Sequence, residues 1–225
     1  MNARVGILGG TLDPIHCGHM AAAVAARDAF DLEKVLVIPS RVPPHRPVQP
    51  IASPFQRFAM AALAVSGVDR FEASDDELLL DGPSFTSDTL DRQHARGLSA
   101  SQIFFITGAD AFADIATWRR YPEVVDLANF VVVSRPGYDI GALAAKLPAL
   151  AGRMRTAADF RGDDRNPLIY LLQAPTPDVS STVVRERLAG GASVSGMVPP
   201  LVAAHIQQHR LYSVFARANQ LHDEN

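Results

Sequence analysis

The sequence has a single cysteine, Cys17, among 225 residues, so an intrachain disulfide is excluded. Such a chain suits a reducing compartment, and we expect a cytoplasmic location. The sequence also lacks any run of about 20 apolar residues that could span a bilayer. The apolar stretch near its start is short and is interrupted by Asp13 and Pro14, unlike a secretory signal. We therefore expect no membrane partner.

The sequence has no excess of positive charge either. Its formal net charge is −3 and it contains no long basic run, so the electrostatic footprint of a nucleic-acid-binding protein is missing. Aromatic residues make up only 7% of the chain, which leaves Ala, Val and Leu to build most of the core. Apolar residues reach 48%, which is enough for a globular core. We expect no nucleic acid partner. A local cluster of positive charge could still bind a small anionic ligand.

Short, continuous apolar runs alternate with helical patterns along the chain, as is typical of parallel strands covered on both sides. This order predicts one α/β domain over 1–225, a Rossmann-like, doubly wound, mostly parallel sheet with helices on both faces. A C-terminal helical portion is expected from about 180, with a loose tail after about 213. The predicted strands are 4–8, 35–38, 68–73, 103–107, 130–134 and 168–173, the predicted helices are 18–30, 54–65, 84–96, 140–150, 180–188 and 200–209, and the predicted loops are 41–53 and 151–166.

Three helix starts carry capping signals. Ser53 is the expected N-cap of the second helix, with Pro54 at its first position. Ser84 or Thr86 is expected to cap the third helix. Ser180 is a candidate N-cap for the helix that follows it.

The segment from Gly9 to His19 reads Gly-Gly-Thr-Leu-Asp-Pro-Ile-His-Cys-Gly-His. It joins the first predicted strand to the first predicted helix, and open parallel sheets bind ligands beyond the carboxyl ends of their strands. Gly9 and Gly10 permit a tight turn and the close approach of a ligand. The N-terminus of the following helix offers unpaired N–H groups. The segment therefore predicts an anion site.

His16 and His19 are three residues apart, which places both imidazoles on one side of a first helical turn. Both can donate hydrogen bonds to phosphate oxygens, and Thr11 can add a hydroxyl. The segment lacks the ending of a Walker loop and the glycine spacing of the dinucleotide fingerprint. A zinc site from His16, Cys17, His19 and His45 matches no standard spacing, so no metal site is predicted.

A second motif, Ser180-Ser-Thr-Val-Val-Arg185, opens a late helix. Together the two motifs resemble the signatures of the HxGH-containing nucleotidyltransferase superfamily. The first motif departs from the usual form at Leu12, where Phe is usual and an apolar side chain is kept. Without the resemblance, the glycine pair reads as a structural turn and Ser180 as an ordinary N-cap. Capping and phosphate binding can coexist, because both use the same helix end.

The resemblance extends over nearly the whole chain and points to the bacterial nicotinate mononucleotide adenylyltransferases. Phe85 stands where Tyr is usual, which removes a hydroxyl, and Arg46 stands where Lys is usual, which keeps the charge. The similar segments are 43–46, 84–90, 108–110, Trp118, 134–137 and 198–212.

The resemblance implies that ATP and nicotinate mononucleotide are joined to give deamido-NAD and pyrophosphate in NAD biosynthesis, with Mg²⁺ accompanying ATP. The attacking atom would be a phosphate oxygen, which is already anionic near neutral pH. No general base is then required, because positioning and charge neutralisation suffice. A Ser or Cys nucleophile is equally unnecessary, so Cys17 is expected to be a packing residue.

The resemblance also implies roles on the ATP side. His16 and His19 would hold the α- and neighbouring phosphates, and Arg185 would grip the β- and γ-phosphates, which makes these three the catalytic residues. Asp110 would accept from ribose hydroxyls; as a bare sequence feature it reads equally well as a helix cap. The implied ATP-binding residues are Gly9, Gly10, Thr11, Gly108, Asp110, Ser181 and Thr182.

On the acceptor side, the implied residues are His45, Arg46, Thr86, Trp118 and Arg119. Trp118 would stack on the pyridine ring, and the amides of Thr86 and Arg119 would bind its carboxylate. His45 and Arg46 would lie over the anionic substrates on a loop that closes over them. Without the resemblance, Trp118 reads as a core or interface residue, and the loop as a solvated segment stiffened by proline.

Two rival functions stay open. One is another member of the superfamily, acting on nicotinamide mononucleotide or phosphopantetheine, against which the acceptor-side segments count. The other is a nucleotide-binding module without turnover, against which the two intact phosphate motifs count. Arg57 and Arg135 have no assigned role, and the sequence leaves a homo-oligomer open.

Overall fold

A computed structural model of the chain describes residues 3–44, 50–162 and 166–213. Its centre is a seven-stranded sheet in which every pairing between neighbouring strands is parallel. The strand order is β3-β2-β1-β4-β5-β7-β6. The strands are β1 (Val5–Gly10), β2 (Lys34–Pro39), β3 (Phe71–Ala73), β4 (Ile103–Gly108), β5 (Asn129–Val133), β6 (Met154–Thr156) and β7 (Ile169–Leu172).

The strand order reverses direction between β1 and β4, which lie side by side at the middle of the sheet. Leu8 of β1 is in register with Val37 of β2 on one side and with Ile106 of β4 on the other. Ligands bind at such a switch point, because the connections leaving the two strands run to opposite faces and open a crevice. The glycine-rich end of β1 lies at this point.

Helices cover both faces of the sheet, as the sequence predicts. Two separate apolar clusters form the core, one on each face. Alternation along β1 sends Leu8 into the first cluster and Ile7 into the second. The α-helices are α1 (Cys17–Phe30), α2 (Pro54–Val65), α3 (Thr86–Ala95), α4 (Ala109–Ala113), α5 (Leu143–Lys146), α6 (Ser181–Ala189) and α7 (Pro200–Gln208).

The few aromatic residues are concentrated where the core is deepest. Phe30 is fully buried at the end of α1, with its ring centroid 5.3 Å from Phe104 and 5.0 Å from Tyr170. Aromatic pairs of this kind contribute about 0.5–1.5 kcal/mol beyond their buried area. They fasten α1 to the sheet, so its N-terminus is held firmly at the switch point.

Several sequence-based expectations about local structure are wrong. Residues 151–166 contain the short strand Met154–Thr156, which pairs at the sheet edge despite a polar sequence with little strand pattern. Residues 140–150 form a four-residue α-helix between 3₁₀ turns instead of one helix. Phe85, not Ser84 or Thr86, occupies the N-cap of α3 and makes no side-chain cap bond.

The capping predictions for two other helices are confirmed. Ser53 Oγ accepts from Gln56 N at 3.3 Å, with proline in the first turn of α2. Ser180 Oγ accepts from Val183 N at 3.2 Å at the start of α6.

The C-terminal part is helical, as predicted, and α7 packs on α2, where His205 Nε2 lies 2.6 Å from Gln56 Oε1. The described chain ends at Ser213, so the loose tail expected after about 213 lies outside the described residues. Among the described residues, no helix is long and apolar enough to cross a membrane.

Candidate active site

The loop between β1 and α1, residues 11–16, connects the sheet to the helix in a strained conformation. Leu12 adopts a left-handed backbone with φ of 52°. Its side chain is 2% exposed and belongs to the apolar cluster under α1. Burial of this side chain favours a backbone conformation that non-glycine residues seldom adopt. The loop geometry is thus set by packing, which explains why an apolar residue is needed there.

His16 and His19 form a reciprocal cap at the start of α1. His16 is the N-cap residue, and its Nδ1 accepts from the backbone N–H of His19 at 3.3 Å. In return, His19 Nδ1 accepts from the backbone N–H of His16 at 3.2 Å. A ring nitrogen that accepts carries no proton, so the proton of each neutral imidazole resides on Nε2. Both rings are therefore set as Nε2–H donors.

The two imidazoles lie on the same side of the helix, as the spacing predicts. Their ring centroids are 3.6 Å apart with an interplanar angle of 25°, a stacked arrangement. His16 is 1% exposed and lies beneath His19. Burial, followed by the positive charge of Arg135, lowers the pKa of His16 from 6.5 to about 3. His16 is consequently neutral across the physiological pH range.

Gly18 is required by this stacked pair. A Cβ at position 18 would lie 3.1 Å from two atoms of the His16 ring. A larger residue would therefore crowd the His16 ring and require it to shift by a few tenths of an ångström. The glycine in the His-x-Gly-His pattern thus serves close packing.

A small cavity of about 280 Å³ opens on one side of the histidine pair. His19 reaches it from α1, and Asp110 reaches it from the start of α4. Arg135 and Pro136 close its outer wall after β5, and Ser180 closes it from the N-cap of α6. Among the residues predicted to bind ATP, this cavity gathers Gly108 and Asp110 beside His19, which the sequence predicts to be catalytic.

A larger cavity of about 840 Å³ opens at the carboxyl ends of β1 and β4. Three residues predicted to bind the acceptor, Thr86, Trp118 and Arg119, all line it. Its opposite wall includes Gly9, Gly10 and Thr11, residues predicted to bind ATP. The first motif therefore spans the boundary between the two cavities.

Thr107 lines both cavities. It lies near the carboxyl end of β4, beside the switch point. A group bound in one cavity can thus meet a group bound in the other directly above β4.

Trp118 combines the two readings of its sequence position. Its ring is partly buried and packs edge-on against Phe105 at 6.0 Å and against Phe130 at 6.3 Å, so it belongs to the core. It also lines the larger cavity. The core contacts fix the indole as a rigid wall of that cavity.

Two Arg–Asp ion pairs lie at the two cavities. Arg135 contacts Asp110 at 3.1 Å at the small cavity, and Arg119 contacts Asp88 at 3.0 Å at the large one. The guanidinium of Arg119 also lies 4.6 Å from the ring centroid of Phe85, the residue that replaces the usual Tyr. Both ion pairs are substantially exposed, and such pairs contribute about 0–1 kcal/mol. A ligand can therefore displace either pairing at little cost.

The second motif packs directly against the first. Arg185 Nη1 donates to the backbone carbonyl of Asp13 at 2.7 Å. Arg185 Nη2 donates to Thr182 Oγ1 at 3.2 Å, and Ser181 Oγ donates to the carbonyl of Pro14 at 2.9 Å. The N-terminus of α6 thus lies against the loop of residues 11–16, although some 170 residues separate the two motifs.

The remaining acceptor-side residues of the prediction, His45 and Arg46, lie outside the described residues. Pro43 and Pro44, which precede them, line the larger cavity.

Sequence reasoning missed several buried polar residues around the site. Arg57 is fully buried and donates to the carbonyls of Thr11 at 2.7 Å and Arg41 at 3.0 Å, as well as to that of Ser40. Glu77 lines the larger cavity, and its burial raises the pKa of its carboxyl group. Asp13, Arg57 and Tyr212 could have been suspected only from the presence of Asp, Arg and Tyr inside apolar segments.

No group of three or more His, Cys, Asp or Glu side chains that could hold a metal occurs among the described residues. Mg²⁺ often uses substrate phosphates and water as most of its ligands. The residues present therefore suit a magnesium ion that arrives with a nucleotide, not one held in a cage of protein ligands.

The arrangement suits transfer between two anionic ligands. Imidazole donors and the N-terminus of α1 lie at the smaller cavity, which shares Thr107 with the larger one. Preorganised donors of this kind stabilise negative charge as it develops, and they need no reorganisation at the moment of reaction.

Comparison with known proteins agrees with this site. The model of the Cytidylyltransferase-like family matches residues 7–187, which include both motifs. A probable nicotinate-nucleotide adenylyltransferase of Roseiflexus sp. is 41% identical over 213 residues, covering 94% of this chain and 98% of the relative. Its counterpart in Citrifermentans bemidjiense is 40% identical over 212 residues, covering 93% and 98%.

A solved structure shares the fold. Plasmodium falciparum nicotinic acid mononucleotide adenylyltransferase, complexed with NaAD, matches with a TM-score of 0.72 at 18% identity, covering 94% of this chain and 98% of that one. The described architecture is therefore a Rossmann-like α/β fold. Given the near-complete coverage of relatives at about 40% identity, this chain belongs to the nicotinate-nucleotide adenylyltransferases within the Cytidylyltransferase-like family.

Proposed function

We propose that this chain transfers the adenylyl group of ATP to nicotinate mononucleotide, giving deamido-NAD and pyrophosphate in NAD biosynthesis. The observation that carries the proposal is the meeting of two cavities at Thr107, beside the stacked histidines and the α1 N-terminus. One cavity then takes the adenosine of ATP, and the other takes the pyridine nucleotide. The reacting phosphates meet between them.

The reaction needs no proton abstraction. An anionic phosphate oxygen of nicotinate mononucleotide attacks the α-phosphorus of ATP. The bond from the α-phosphorus to the oxygen bridging it to the β-phosphate breaks, and pyrophosphate leaves with the electron pair. Catalysis then consists of aligning two anions and neutralising the charge that develops on the transferred and leaving groups.

The histidine pair supplies fixed donors for that charge. His19 Nε2–H is directed to the α-phosphate from the edge of the small cavity, with its ring orientation held by the reciprocal cap. His16 lies beneath it and contributes the second imidazole of the pair. Neutral imidazoles donate without forming an ion pair with the phosphates that would have to be broken for product release.

Further ATP contacts follow from the same placement. Asp110 would accept from ribose hydroxyls once ATP displaces Arg135, which then faces the nucleotide. Ser181, Thr182 and Arg185 would grip the β- and γ-phosphates at the N-terminus of α6. Gly9, Gly10, Thr11 and Gly108 would offer backbone to the phosphates and ribose.

On the acceptor side, the unpaired amides at the start of α3 suit the nicotinate carboxylate. Phe85 leaves the helix without a side-chain cap, so the amide of Thr86 is available to an anion. The amide of Arg119 would complete the carboxylate site, with the indole of Trp118 stacked on the pyridine ring. His45 and Arg46 would add positive charge from the segment after Pro44, on a loop that closes over the substrates.

Mg²⁺ would bind with ATP, held mainly by phosphate oxygens and water, and would supply Lewis-acid stabilisation of the phosphates. For location, we propose the cytoplasm, in keeping with the unpaired thiol of Cys17. We propose neither a nucleic acid partner nor a membrane partner, and a homo-oligomer remains compatible with the site.

Pyrophosphate release tests the reaction. The protein is incubated with Mg-ATP and, separately, with nicotinate mononucleotide, nicotinamide mononucleotide and phosphopantetheine. We expect the fastest release with nicotinate mononucleotide. Faster release with another acceptor would transfer the assignment to that substrate, whereas ATP binding without release from any acceptor would indicate a binding module.

A further inference from the structure

Asp13 is a buried carboxylate in the loop of residues 11–16 to which the reaction assigns no role. It is 2% exposed. Its oxygens accept from the backbone N–H of Ile51 at 2.9 Å, from that of Ala52 at 3.1 Å and from the hydroxyl of Tyr212 at 2.8 Å. An ionised carboxylate only accepts, so it matches all three donors. The carboxylate of Asp13 thus joins two distant parts of the chain to this loop, and a third part binds the backbone carbonyl of Asp13.

One of these parts is the pair Ile51 and Ala52, which lies just before α2. The carboxylate of Asp13 accepts from the N–H groups of Ile51 and Ala52, and Arg57 Nε donates to the carbonyl of Ala52 at 3.2 Å. Arg57 also holds the carbonyls of Thr11 and Arg41. Asp13 and Arg57 therefore connect both Arg41 and residues 51–52 to the loop of residues 11–16.

The second part is the C-terminal segment after α7. Tyr212 is 1% exposed and lies 199 positions along the chain from Asp13. Burial, reinforced by the carboxylate of Asp13, raises the pKa of its phenol, so the hydroxyl remains a donor. A side chain from the end of the described chain thereby completes the support of the loop.

The third part is the phosphate-gripping helix α6. Arg185 Nη1 donates to the carbonyl of Asp13 at 2.7 Å and lies 4.0 Å from its carboxylate. Any shift of Asp13 therefore moves the anchor of Arg185. Asp13 therefore contacts both residues 51–52, which Arg57 links to the larger cavity, and Arg185, which is predicted to bind phosphate.

We propose that Asp13 and Tyr212 are positioning residues. They hold the wall of the larger cavity and Arg185 in place relative to the histidine pair. The proposal rests on the proposed adenylyl transfer. Asp13 acts through Ile51, Ala52 and Arg185, and neither Asp13 nor Tyr212 is assigned a contact with substrate. Loss of the carboxylate should consequently loosen both substrate sites without removing any group assigned to bind substrate.

Steady-state kinetics of Asp13→Asn and Tyr212→Phe test this, since KM does not depend on the fraction of folded enzyme. In Asp13→Asn a carboxamide N–H₂ faces N–H or O–H donors, so charge-assisted bonds are lost. We expect the acceptor KM to rise about tenfold to a hundredfold, with a fall in kcat. Tyr212→Phe removes one donor, and we expect the same changes at about threefold to tenfold.

Asn129→Asp is the matched control. Asn129 is 3% exposed at the amino end of β5, whereas the cavities lie at the carboxyl ends of the strands. Its Nδ2 donates to the carbonyls of Ser101 at 3.1 Å and Ile103 at 3.3 Å. Its Oδ1 accepts from Leu168 N at 3.0 Å. The change exchanges a buried carboxamide for a carboxyl group, the reverse of Asp13→Asn. It should lower Tm at least as much but leave both KM values within about twofold.

Equal KM values in Asp13→Asn and wild type, at any Tm, would overturn the positioning role of Asp13. Unchanged KM in Tyr212→Phe would remove Tyr212 from it, and KM changes in Asn129→Asp as large as those in Asp13→Asn would reduce the effect to general destabilisation. Absence of turnover in the wild-type protein would instead contradict the proposed function. If Asp13→Asn does not fold, Tyr212→Phe carries the test.

Discussion

The two cavities that share Thr107 differ in the residues that form their walls. The smaller one is walled by the ends of strands and the starts of helices, with one ion pair, Arg135–Asp110. The larger one has aromatic walls, Phe85, Phe105 and Trp118, and a proline-rich segment at its rim. The first suits a ligand recognised through backbone and charge, and the second suits a flat ring.

The comparison suggests that each cavity binds one substrate, while both depend on the residues that lie between them. Both cavities border Thr107. The first motif contributes Gly18 and His19 to the smaller cavity and Gly9, Gly10 and Thr11 to the larger one. Changes in the residues between the cavities should affect both substrates, whereas changes in one wall should affect one substrate. The following predictions test this division, from the largest effect on activity to the smallest.

His19→Ala removes the Nε2–H donor that is proposed to bind the α-phosphate at the smaller cavity. We expect kcat to fall about 10²–10³-fold, as when a preorganised donor is lost at a reacting phosphate. Pyrophosphate release at saturating substrates measures it. The variant also loses one cap bond of α1, worth about 1 kcal/mol, so Tm should fall only slightly. Activity near that of the wild type would place the reacting phosphates away from His19.

Trp118→Phe changes the wall of the larger cavity and no residue that lines the smaller one. The smaller ring should raise the acceptor KM by about threefold to tenfold, in line with the 0.5–1.5 kcal/mol of an aromatic pair, and leave the ATP KM unchanged. Phe112→Leu is the control, because Phe112 is fully buried in the same apolar cluster but lines neither cavity. An equal shift in both KM values for Trp118→Phe would contradict the division.

Asp110→Asn and Asp88→Asn remove one ion pair from each cavity. Each should change stability by less than about 1 kcal/mol, because both pairs are substantially exposed. We expect Asp110→Asn to raise the ATP KM several-fold through a weaker ribose contact, at about 1 kcal/mol per hydrogen bond. Asp88→Asn should leave the ATP KM unchanged. The opposite pattern, measured with each substrate varied in turn, would exchange the roles of the two cavities.

The smallest effect on activity concerns His16 and pH. Its pKa of about 3 in the folded protein means that it does not titrate between pH 5 and 8, so ¹H–¹⁵N spectra should show an unchanged neutral ring with the proton on Nε2. A ring that titrates near 6.5 would contradict the structure.

The same shift has a consequence for stability. Because the unfolded chain binds a proton near pH 6.5 and the folded chain does not, the contribution of His16 is complete above pH 6.5. It is lost as pH falls from 6.5 towards 3. The slope approaches about 1.4 kcal/mol per pH unit. Urea unfolding at pH 5 and 7 should show a smaller loss in His16→Asn, where Asn keeps the N-cap, than in the wild type.

Local features were predictable because their cause is local. The continuous apolar runs at β1, β4 and β5 and the caps at Ser53 and Ser180 depend on neighbours a few residues away. The placement of His16 and His19 on one side of the helix start follows from their spacing, whereas their stacking accompanies the reciprocal cap between them. Met154–Thr156 was missed because edge pairing with β7, and not its own pattern, makes it a strand.

The amino-acid sequence by itself determined the α/β class, the two phosphate motifs and the family resemblance, since these depend on residue type and short spacing. Only the tertiary structure decided that the first motif borders two cavities, and that Asp13 binds Ile51, Ala52 and Tyr212. Those contacts join residues up to 199 positions apart, which no periodicity encodes. A buried charge requires partners, but chain packing selects which residues provide them.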